Sequence, residues 1–181
     1  ILYMLTILLM EKKDKEIYKG LSDTDALTGL FNRRAFQAAV DETLLKRIAG
    51  VFIFIDVDNF KDYNDKYGHA NGDLCLKHFA AAMKKCFPKD SILGRYGGDE
   101  FVVYIKNAAS DDAHRYMDEF QREISHLIMA GGEHVTVSAS AGGVAFIGGG
   151  EDFVSLCRSA DNMLYDVKRN GKGTFKMKGA K

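Results

Sequence analysis

A pair of glycines between two strand-like segments restricts the folds that this chain can adopt. Gly97 and Gly98 separate residues 91–93 (SIL) from the apolar run 101–105 (FVVYI). Because glycine adopts positive φ without a steric cost, Gly-Gly between two such segments predicts a tight β-hairpin. A turn without side chains also lets phosphates or another backbone approach closely. The pattern therefore predicts an antiparallel strand pair with an accessible turn.

Two adjacent carboxylates, Asp99 and Glu100, stand at the exit of this turn. Folding alone explains them poorly, although a hairpin can carry charges simply for solubility. Carboxylate oxygens are hard ligands that suit Mg²⁺ arriving with a nucleotide. The hairpin therefore favours a site for a metal and a phosphate over a purely solubilising role.

A second acidic site follows residues 51–55 (VFIFI), an unbroken apolar run that predicts a buried strand. The run ends in Asp56, Val57 and Asp58, and a carboxylate at the end of a buried strand lies at the sheet edge, where open sheets bind ligands. Acidic sites on adjacent strands could share metal ions, as two-metal phosphoryl chemistry requires. The alternative is that Asp58 or Asn59 caps the following helix.

Five segments with characteristic spacing run along the chain. They are residues 25–34 (DALTGLFNRR), 56–65 (DVDNFKDYND), 68–73 (GHANGD), 95–101 (RYGGDEF) and 160–173 (ADNMLYDVKRNGKG). In this order they resemble the GGDEF family, the bacterial diguanylate cyclases. A single GGDEF pentapeptide is a weak signal, whereas five segments in family order are very specific. The resemblance covers roughly residues 21–176, and we expect the GGDEF domain to occupy residues 21–178.

The resemblance implies a reaction in which two GTP molecules condense into cyclic di-GMP with release of two pyrophosphates. Each 3′-hydroxyl attacks the α-phosphate of the other nucleotide. Family members use two Mg²⁺ or Mn²⁺ ions per half-site, and two domains, each holding one GTP, face each other in an antiparallel homodimer. The implied fold is related to the palm of polymerases and to nucleotidyl cyclases.

The resemblance also implies roles for the residues of the two acidic motifs. Asp56 matches a strand-end metal ligand, and the carbonyl of Val57 completes that ligand set. Asp99 matches a residue that binds metal and helps to deprotonate the 3′-hydroxyl, and Glu100 one that supports metal or ribose. The glycines Gly97 and Gly98 leave room for the α-phosphate.

Further positions match the residues that bind the nucleotide. Asn64 and Asp73 match the pair that recognises the guanine edge, and a carboxylate such as Asp73 accepts hydrogen bonds from guanine donors. Asp73 is also open to a second interpretation, as the N-cap of a helix. The residues expected at the phosphates are the backbone N–H groups of Asn59 and Phe60, and the side chains of Lys168, Lys172 and, with a surface role as the alternative, Lys61. Lys172 stands where most relatives have arginine, so it keeps the charge but loses the bidentate fork.

Two segments are expected to matter for structure or regulation. Asp25 and Arg33 are expected to form a structural ion pair, with coupling of the incoming helix to catalysis as the alternative. Arg95 is expected either to have a structural role or to contact a regulatory nucleotide.

Many relatives carry an RxxD product-inhibition site before the hairpin, but here residues 88–91 read PKDS. Proline offers neither a charge nor an N–H, so we expect no feedback inhibition through that site.

Length and composition suit one cytoplasmic domain with a sizeable core. The chain has 181 residues, and its 25 basic side chains balance 25 acidic ones, which gives no sign of nucleic-acid binding. Its three cysteines show no disulfide or zinc spacing, as expected in a reducing compartment.

Residues 1–20 predict a helical linker that belongs to a longer protein. Its first ten residues (ILYMLTILLM) are apolar but too few to span a bilayer, which takes about 20 residues. A charged run, EKKDKE, follows at once. The linker is interpreted either as the inner end of a transmembrane helix, which would tether the domain to the inner membrane, or as the end of a dimerising signalling helix. An artefact of expression is a third interpretation, and the upstream sensor domain is expected to be missing from this fragment.

The coarse pattern predicts an α+β fold with a ferredoxin-like central sheet, mixed but largely antiparallel, flanked by helices. The expected helices are residues 32–49, 59–66, 73–87, 110–129 and 151–169, and the expected strands are 51–56, a hairpin over 91–105, and 135–140. Gly142 and Gly143 are expected to mark close backbone packing.

Three functions remain open at this level, and the weakest of them is a cyclase that makes a mixed or mononucleotide cyclic product. The first is an active diguanylate cyclase. The second is a catalytically silent GGDEF module that binds GTP, cyclic di-GMP or a partner protein. The presence of Asp56, Asn64, Asp73, Asp99 and Glu100 favours the enzyme, because silent members usually lose such residues.

Overall fold

The structure is a computed structural model that describes residues 23–128 and 134–179. The expected helical linker over residues 1–20 lies outside the described residues. No helix within the described ranges combines the length and the apolar character that crossing a membrane requires.

A six-stranded sheet forms the centre of the fold, in the spatial order β1-β3-β4-β2-β7-β8. Its strands are β1 (Phe31–Asn32), β2 (Gly50–Val57), β3 (Ile92–Gly97), β4 (Glu100–Lys106), β7 (Ala139–Phe146) and β8 (Phe175–Lys178). The inner pairs β3–β4, β4–β2 and β2–β7 are antiparallel, whereas the outer pairs β1–β3 and β7–β8 are parallel. Strands β5 (Leu127–Ile128) and β6 (His134–Val135) form a separate two-stranded sheet.

Five helices within the described ranges flank the central sheet. They are α1 (Arg33–Leu45), α2 (Phe60–Tyr67), α3 (His69–Cys86), α4 (Ser110–Ile124) and α5 (Phe153–Arg169). The chain runs β2, α2 and α3, β3, β4, α4, β7, with these four strands in the order β3-β4-β2-β7. This is the split βαβ arrangement of ferredoxin-like folds, so the predicted fold class is confirmed.

Strand β2 is buried on both faces, because each face carries its own core. Val51, Ile53 and Ile55 pack with residues of α3 and α4 in one cluster, while Phe52 and Phe54 pack with α1 and α5 in the other. Successive side chains of a strand point to opposite faces, so an unbroken apolar run suits a strand between two helical layers. The sandwich holds the end of β2 at the centre of one sheet edge.

Four predicted boundaries are wrong. Helix α1 ends at Leu45 rather than near residue 49. Helix α3 begins at His69 rather than near residue 73, so Asp73 lies inside the helix and does not cap it. Helix α4 ends at Ile124 rather than near residue 129. The strand expected at 135–140 is instead β6 followed by β7, which runs from Ala139 to Phe146.

The close packing expected at Gly142 and Gly143 is confirmed. A Cβ at Gly142 would collide with the backbone of α5 at Ala160 and Leu164, and one at Gly143 would meet the Phe175 ring. The two glycines let α5 and the β8 side chain approach β7 closely, which brings the loop between α5 and β8 to the same edge of the sheet as the end of β2.

Candidate active site

The two acidic motifs meet at one edge of the sheet. Asp56 and Glu100 are register partners across the antiparallel pair β2–β4, and the Val57 N–H donates to the Asp99 carbonyl oxygen at 3.2 Å. The predicted juxtaposition of the two motifs on adjacent strands is therefore present. Three carboxylates, from Asp56, Asp99 and Glu100, share this edge.

Burial of these carboxylates makes the edge attractive to cations. Asp56 is only 8% exposed, and burial raises its pKa, with Asp99 and Asp58 adding to the rise. Lys168 opposes that rise, because its Nζ lies 2.8 Å from Asp56 Oδ2. Burial also raises the pKa of Glu100, and the negative charges of Asp56 and Asp99 raise it further. Negative charge is thus concentrated where a single ammonium group now compensates it.

The same residues fit a divalent ion of the magnesium type, although they do not form a closed cage. No group of three His, Cys, Asp or Glu side chains in the described part of the chain is arranged to hold a metal ion alone. Mg²⁺ is usually held by one or two carboxylates together with substrate phosphates and water. Asp56, the Val57 carbonyl, Asp99 and Glu100 supply such an open set, and the Lys168 ammonium on Asp56 marks a position that accepts a cation.

The turn between β3 and β4 is open to solvent on one side, and the Arg95 side chain holds its backbone on the other. Gly98 has φ 45°, and no described atom lies within 4 Å of a Cβ built on it. Arg95 donates from Nη2 and Nε to the Gly98 carbonyl, at 2.6 and 2.9 Å, and from Nη1 to Asp25 at 3.1 Å. Arg95 therefore shapes the turn.

The prediction of an ion pair between Asp25 and Arg33 is wrong. Asp25 pairs with Arg95, and the Arg33 guanidinium lies over the Tyr96 ring.

A small cavity of about 380 Å³ opens beside Glu100, lined also by Tyr96, Cys157, Arg158 and Asp161 among others. Burial raises the pKa of the Cys157 thiol to about 11. The thiol is therefore protonated at neutral pH and is a poor nucleophile. This cavity offers polar contacts beside the carboxylates without thiol chemistry.

The loop between β2 and α2 turns sharply at Asn59, which has φ 55°. The N–H groups at the start of α2, which begins at Phe60, point out of this loop, as at any helix N-terminus. Neither Asp58 nor Asn59 caps α2 with its side chain, so the capping interpretation is wrong. Instead the Asn59 side chain accepts a hydrogen bond from Lys172 Nζ at 2.7 Å. Lys61 lies exposed in the first turn of α2.

Helices α2 and α3 bring Asn64 close to Asp73. Gly72, directly before Asp73, is buried against Asn64, and a Cβ there would overlap the Asn64 Oδ1 atom. This Oδ1 atom is buried and has no hydrogen-bond partner in the described structure, while Asp73 is exposed. A buried polar atom without a partner is costly, so the close packing of α2 on α3 is achieved at some expense in hydrogen bonding.

Sequence reasoning missed the residues that hold the loops of the site together. Ser138 and Ser140 both donate to the Asp58 carboxylate, at 2.7 and 2.6 Å. Their signal was present, because two serines spaced by two residues share one face of an extended chain. Only the fold shows that this face meets Asp58.

The sequence model described as "Diguanylate cyclase, GGDEF domain" matches residues 22–174. The chain belongs to the GGDEF family. Solved structures agree in fold. The GGDEF domain of DgcB from Caulobacter crescentus, in complex with c-di-GMP, is 28% identical with a TM-score of 0.79, covering 86% of this chain and 95% of that one. Diguanylate cyclase SiaD from Pseudomonas aeruginosa, in complex with its activator SiaC, is 27% identical with a TM-score of 0.82, covering 97% and 72%.

Curated relatives of this GGDEF chain carry more than one kind of name. Response regulator PleD of Caulobacter vibrioides is 33% identical, covering 88% of this chain and 37% of PleD. Diguanylate cyclase DgcM of Escherichia coli is 31% identical, covering 90% and 40%. Cyclic di-GMP phosphodiesterase PdeR of Escherichia coli is 33% identical, covering 91% and 25%. The GGDEF chain thus spans less than half the length of each of these relatives.

Proposed function

We propose that this GGDEF chain is a diguanylate cyclase that condenses two GTP molecules into cyclic di-GMP and two pyrophosphates. The observation that carries the proposal is the register pairing of Asp56 with Glu100, beside Asp99 and the open Gly97-Gly98 turn. Relatives named diguanylate cyclases support it.

In the proposed reaction, the turn at Gly97 and Gly98 receives the α-phosphate of one GTP. The 3′-oxygen of the second GTP forms a bond to that phosphorus while the bridging α–β P–O bond breaks and pyrophosphate leaves. Asp99 would accept the proton of the 3′-hydroxyl, and Glu100 would contact the metal or the ribose. A second, equivalent attack closes the cyclic dinucleotide and releases the second pyrophosphate.

Two Mg²⁺ or Mn²⁺ ions per half-site would be held by Asp56, the Val57 carbonyl, Asp99 and Glu100. When bound, such ions lower the pKa of the attacking hydroxyl and neutralise charge on the phosphates. Lys168 would then leave Asp56 and turn its ammonium to the terminal phosphates.

The remaining site residues would bind and orient the nucleotide. Asn64 and Asp73 would recognise the guanine edge, and the supporting observation is that Asn64 packs against Gly72, the residue directly before Asp73. The N–H groups of Asn59 and Phe60 at the start of α2 would hold the β- and γ-phosphates, because helix N-termini attract anions. The side chains Lys61, Lys168 and Lys172 would add positive charge there.

One chain offers one such site, so the proposed catalytic unit is an antiparallel homodimer in which each copy presents one GTP to the other. An upstream sensor segment, with or without a membrane tether through the N-terminus, would control how often two copies meet. The effective concentration of the second copy would then set the rate.

The test is cyclic di-GMP formation from GTP and Mg²⁺ over a wide range of protein concentration. We expect a rate per chain that rises with concentration, that vanishes in Asp99→Ala, and that persists in the control Asp118→Ala on the exposed face of α4. Absence of product at high concentration, and in a forced-dimer fusion, while GTP still binds, would instead support the silent module.

A further inference from the structure

Hydrogen-bond donors from two other segments of the site engage the Asp58 carboxylate. Its Oδ1 atom accepts from Ser140 Oγ at 2.6 Å, and its Oδ2 atom accepts from Ser138 Oγ at 2.7 Å and from the Gly173 N–H at 3.0 Å. Both oxygens are therefore engaged by donors from the start of β7 and from the loop after α5. A role as a further metal ligand would require these bonds to break.

The loop that Asp58 holds has an unusual backbone. The φ angles of Gly171, Lys172 and Gly173 are 119°, 60° and 64°, respectively. Positive φ at a lysine is strained and persists only where the surroundings enforce it. The backbone of this loop is restrained by hydrogen bonds from the Lys172 N–H to the Val167 carbonyl at 3.2 Å, and from the Gly173 N–H to Asp58 Oδ2 at 3.0 Å and to Ser140 Oγ at 3.2 Å. Asp58 thus contributes one of the restraints on the conformation of Lys172.

Asp58 also belongs to the loop on the other side of the site. Its own N–H donates to the Ser138 carbonyl at 2.9 Å, and the next residue, Asn59, opens α2 in the left-handed region. Across the gap, Lys172 Nζ reaches Asn59 Oδ1 at 2.7 Å. The ammonium group is therefore held at the start of α2 by a loop that is bonded to the residue just before it.

We propose that Asp58 is a positioning residue that joins the β2–α2 loop to the α5–β8 loop and so holds Lys172 over the N-terminus of α2. The inference rests on the proposed function, in which that helix terminus binds the terminal phosphates of GTP. Asp58 acts through Lys172 and touches neither substrate nor metal. It therefore determines affinity for the triphosphate and not for the guanosine part.

A double-mutant cycle in nucleotide binding tests this role. The variants are Asp58→Asn, Lys172→Met and the double variant, and the ligands are 3′-deoxy-GTP with Mg²⁺, which lacks the attacking hydroxyl, and GMP, both measured by titration calorimetry. We expect Asp58→Asn to weaken 3′-deoxy-GTP binding about tenfold, the size of one lost charge-assisted contact, and to change GMP binding less than about twofold. The double variant should bind 3′-deoxy-GTP no more than about twofold more weakly than Lys172→Met alone.

The proposal would be overturned if the losses of 3′-deoxy-GTP affinity in the two single variants added up in the double variant, because Asp58 would then act independently of Lys172. Equal losses of affinity for 3′-deoxy-GTP and GMP would also overturn it, because a merely structural role loosens the whole site. Ser138→Ala keeps the Asp58 charge but removes the hydroxyl that donates to Asp58 Oδ2, so it should show the same selectivity with a smaller loss even where Asp58→Asn does not fold. Asp118→Asn is the matched control and should change neither affinity.

Failure of the proposed function is separable from failure of this inference. An unsubstituted chain that binds 3′-deoxy-GTP but makes no cyclic di-GMP from GTP contradicts the cyclase activity and leaves the cycle as a full test of Asp58. An unsubstituted chain that does not bind 3′-deoxy-GTP overturns both.

Discussion

At the scale of single residues, the burial of Glu100 at the sheet edge bears on the stability of the chain. Glu100 lies half-buried beside Asp56 and Asp99, and burial, followed by these two charges, raises its pKa above the usual 4.5. A carboxyl whose pKa is raised by folding binds its proton more tightly in the folded chain. Its favourable contribution is therefore present below pH 4.5 and is lost as the pH rises through the folded-state value.

Glu100→Gln should consequently stabilise the metal-free chain at neutral pH and lose this advantage in acid. We expect the melting temperature to rise by about 2–4 °C near pH 7.5, the shift that ~1 kcal/mol gives in a domain of this size, and not to rise near pH 4. Thermal unfolding followed by circular dichroism in the presence of a chelator measures both. Glu119→Gln, on the exposed part of α4, is the control and should change little at either pH. The same gain at both pH values would contradict the explanation.

At the scale of elements, the packing of α2 on α3 decides where the proposed guanine pair lies. The sequence pattern predicts a helix that begins at Asp73, four residues later than the observed start of α3 at His69. In the fold Gly72 is buried inside α3, where the absence of a side chain admits Asn64 and the ring of Phe60. The helix tolerates this glycine because tertiary contact outweighs helix propensity.

We expect Gly72→Ala to lower the free energy of unfolding, whereas the same substitution at an ordinary helix position raises it. Alanine is favoured over glycine by about 1 kcal/mol in an exposed helix, but here its Cβ overlaps Asn64. We expect a loss of about 1–3 kcal/mol in the free energy of unfolding, together with weaker binding of 3′-deoxy-GTP because Asn64 must move. Urea unfolding and calorimetry measure the two effects. Gly149→Ala, where no described atom lies within 4 Å of the added Cβ, is the control. A variant that is more stable and binds 3′-deoxy-GTP with unchanged affinity would contradict this prediction, because it would show that Asn64 can move aside at no cost.

At the scale of the whole molecule, the segment before β3 bears on control by product. Residues 88–91 form a turn in which the Ser91 N–H donates to the Pro88 carbonyl at 3.0 Å, and the Ser91 Oγ atom is buried without a described partner. Neither Pro88 nor Ser91 presents a charge, so the two positions that hold arginine and aspartate in the RxxD pattern offer no charge-assisted contact to a dinucleotide.

Titration of the steady-state rate with cyclic di-GMP should therefore show no non-competitive inhibition at product concentrations up to about 100-fold above that of the protein. Inhibition competitive with GTP is the control result, since product can still enter the proposed active site. Strong non-competitive inhibition that disappears in Lys89→Ala or Asp90→Ala would sink this prediction.

The sequence by itself determined the family, the α+β fold and the meeting of the two acidic motifs. These features depend on local geometry, which neighbouring residues determine. The sequence shows them as apolar runs that end in carboxylates and as glycines between strands. The glycine pair 142–143 was recognised in the same way, as a place where backbones approach.

Only the tertiary structure decided the partners of charged and polar side chains. Asp25 pairs with Arg95 rather than Arg33, Lys168 pairs with Asp56, and Asp58 bonds to two serines about 80 residues further along the chain. The physical reason is that a long or charged side chain can satisfy its hydrogen bonds with many partners, and packing of the core chooses among them. The proposed phosphate site is therefore a property of the assembled sheet edge, where three loops distant in sequence are held together.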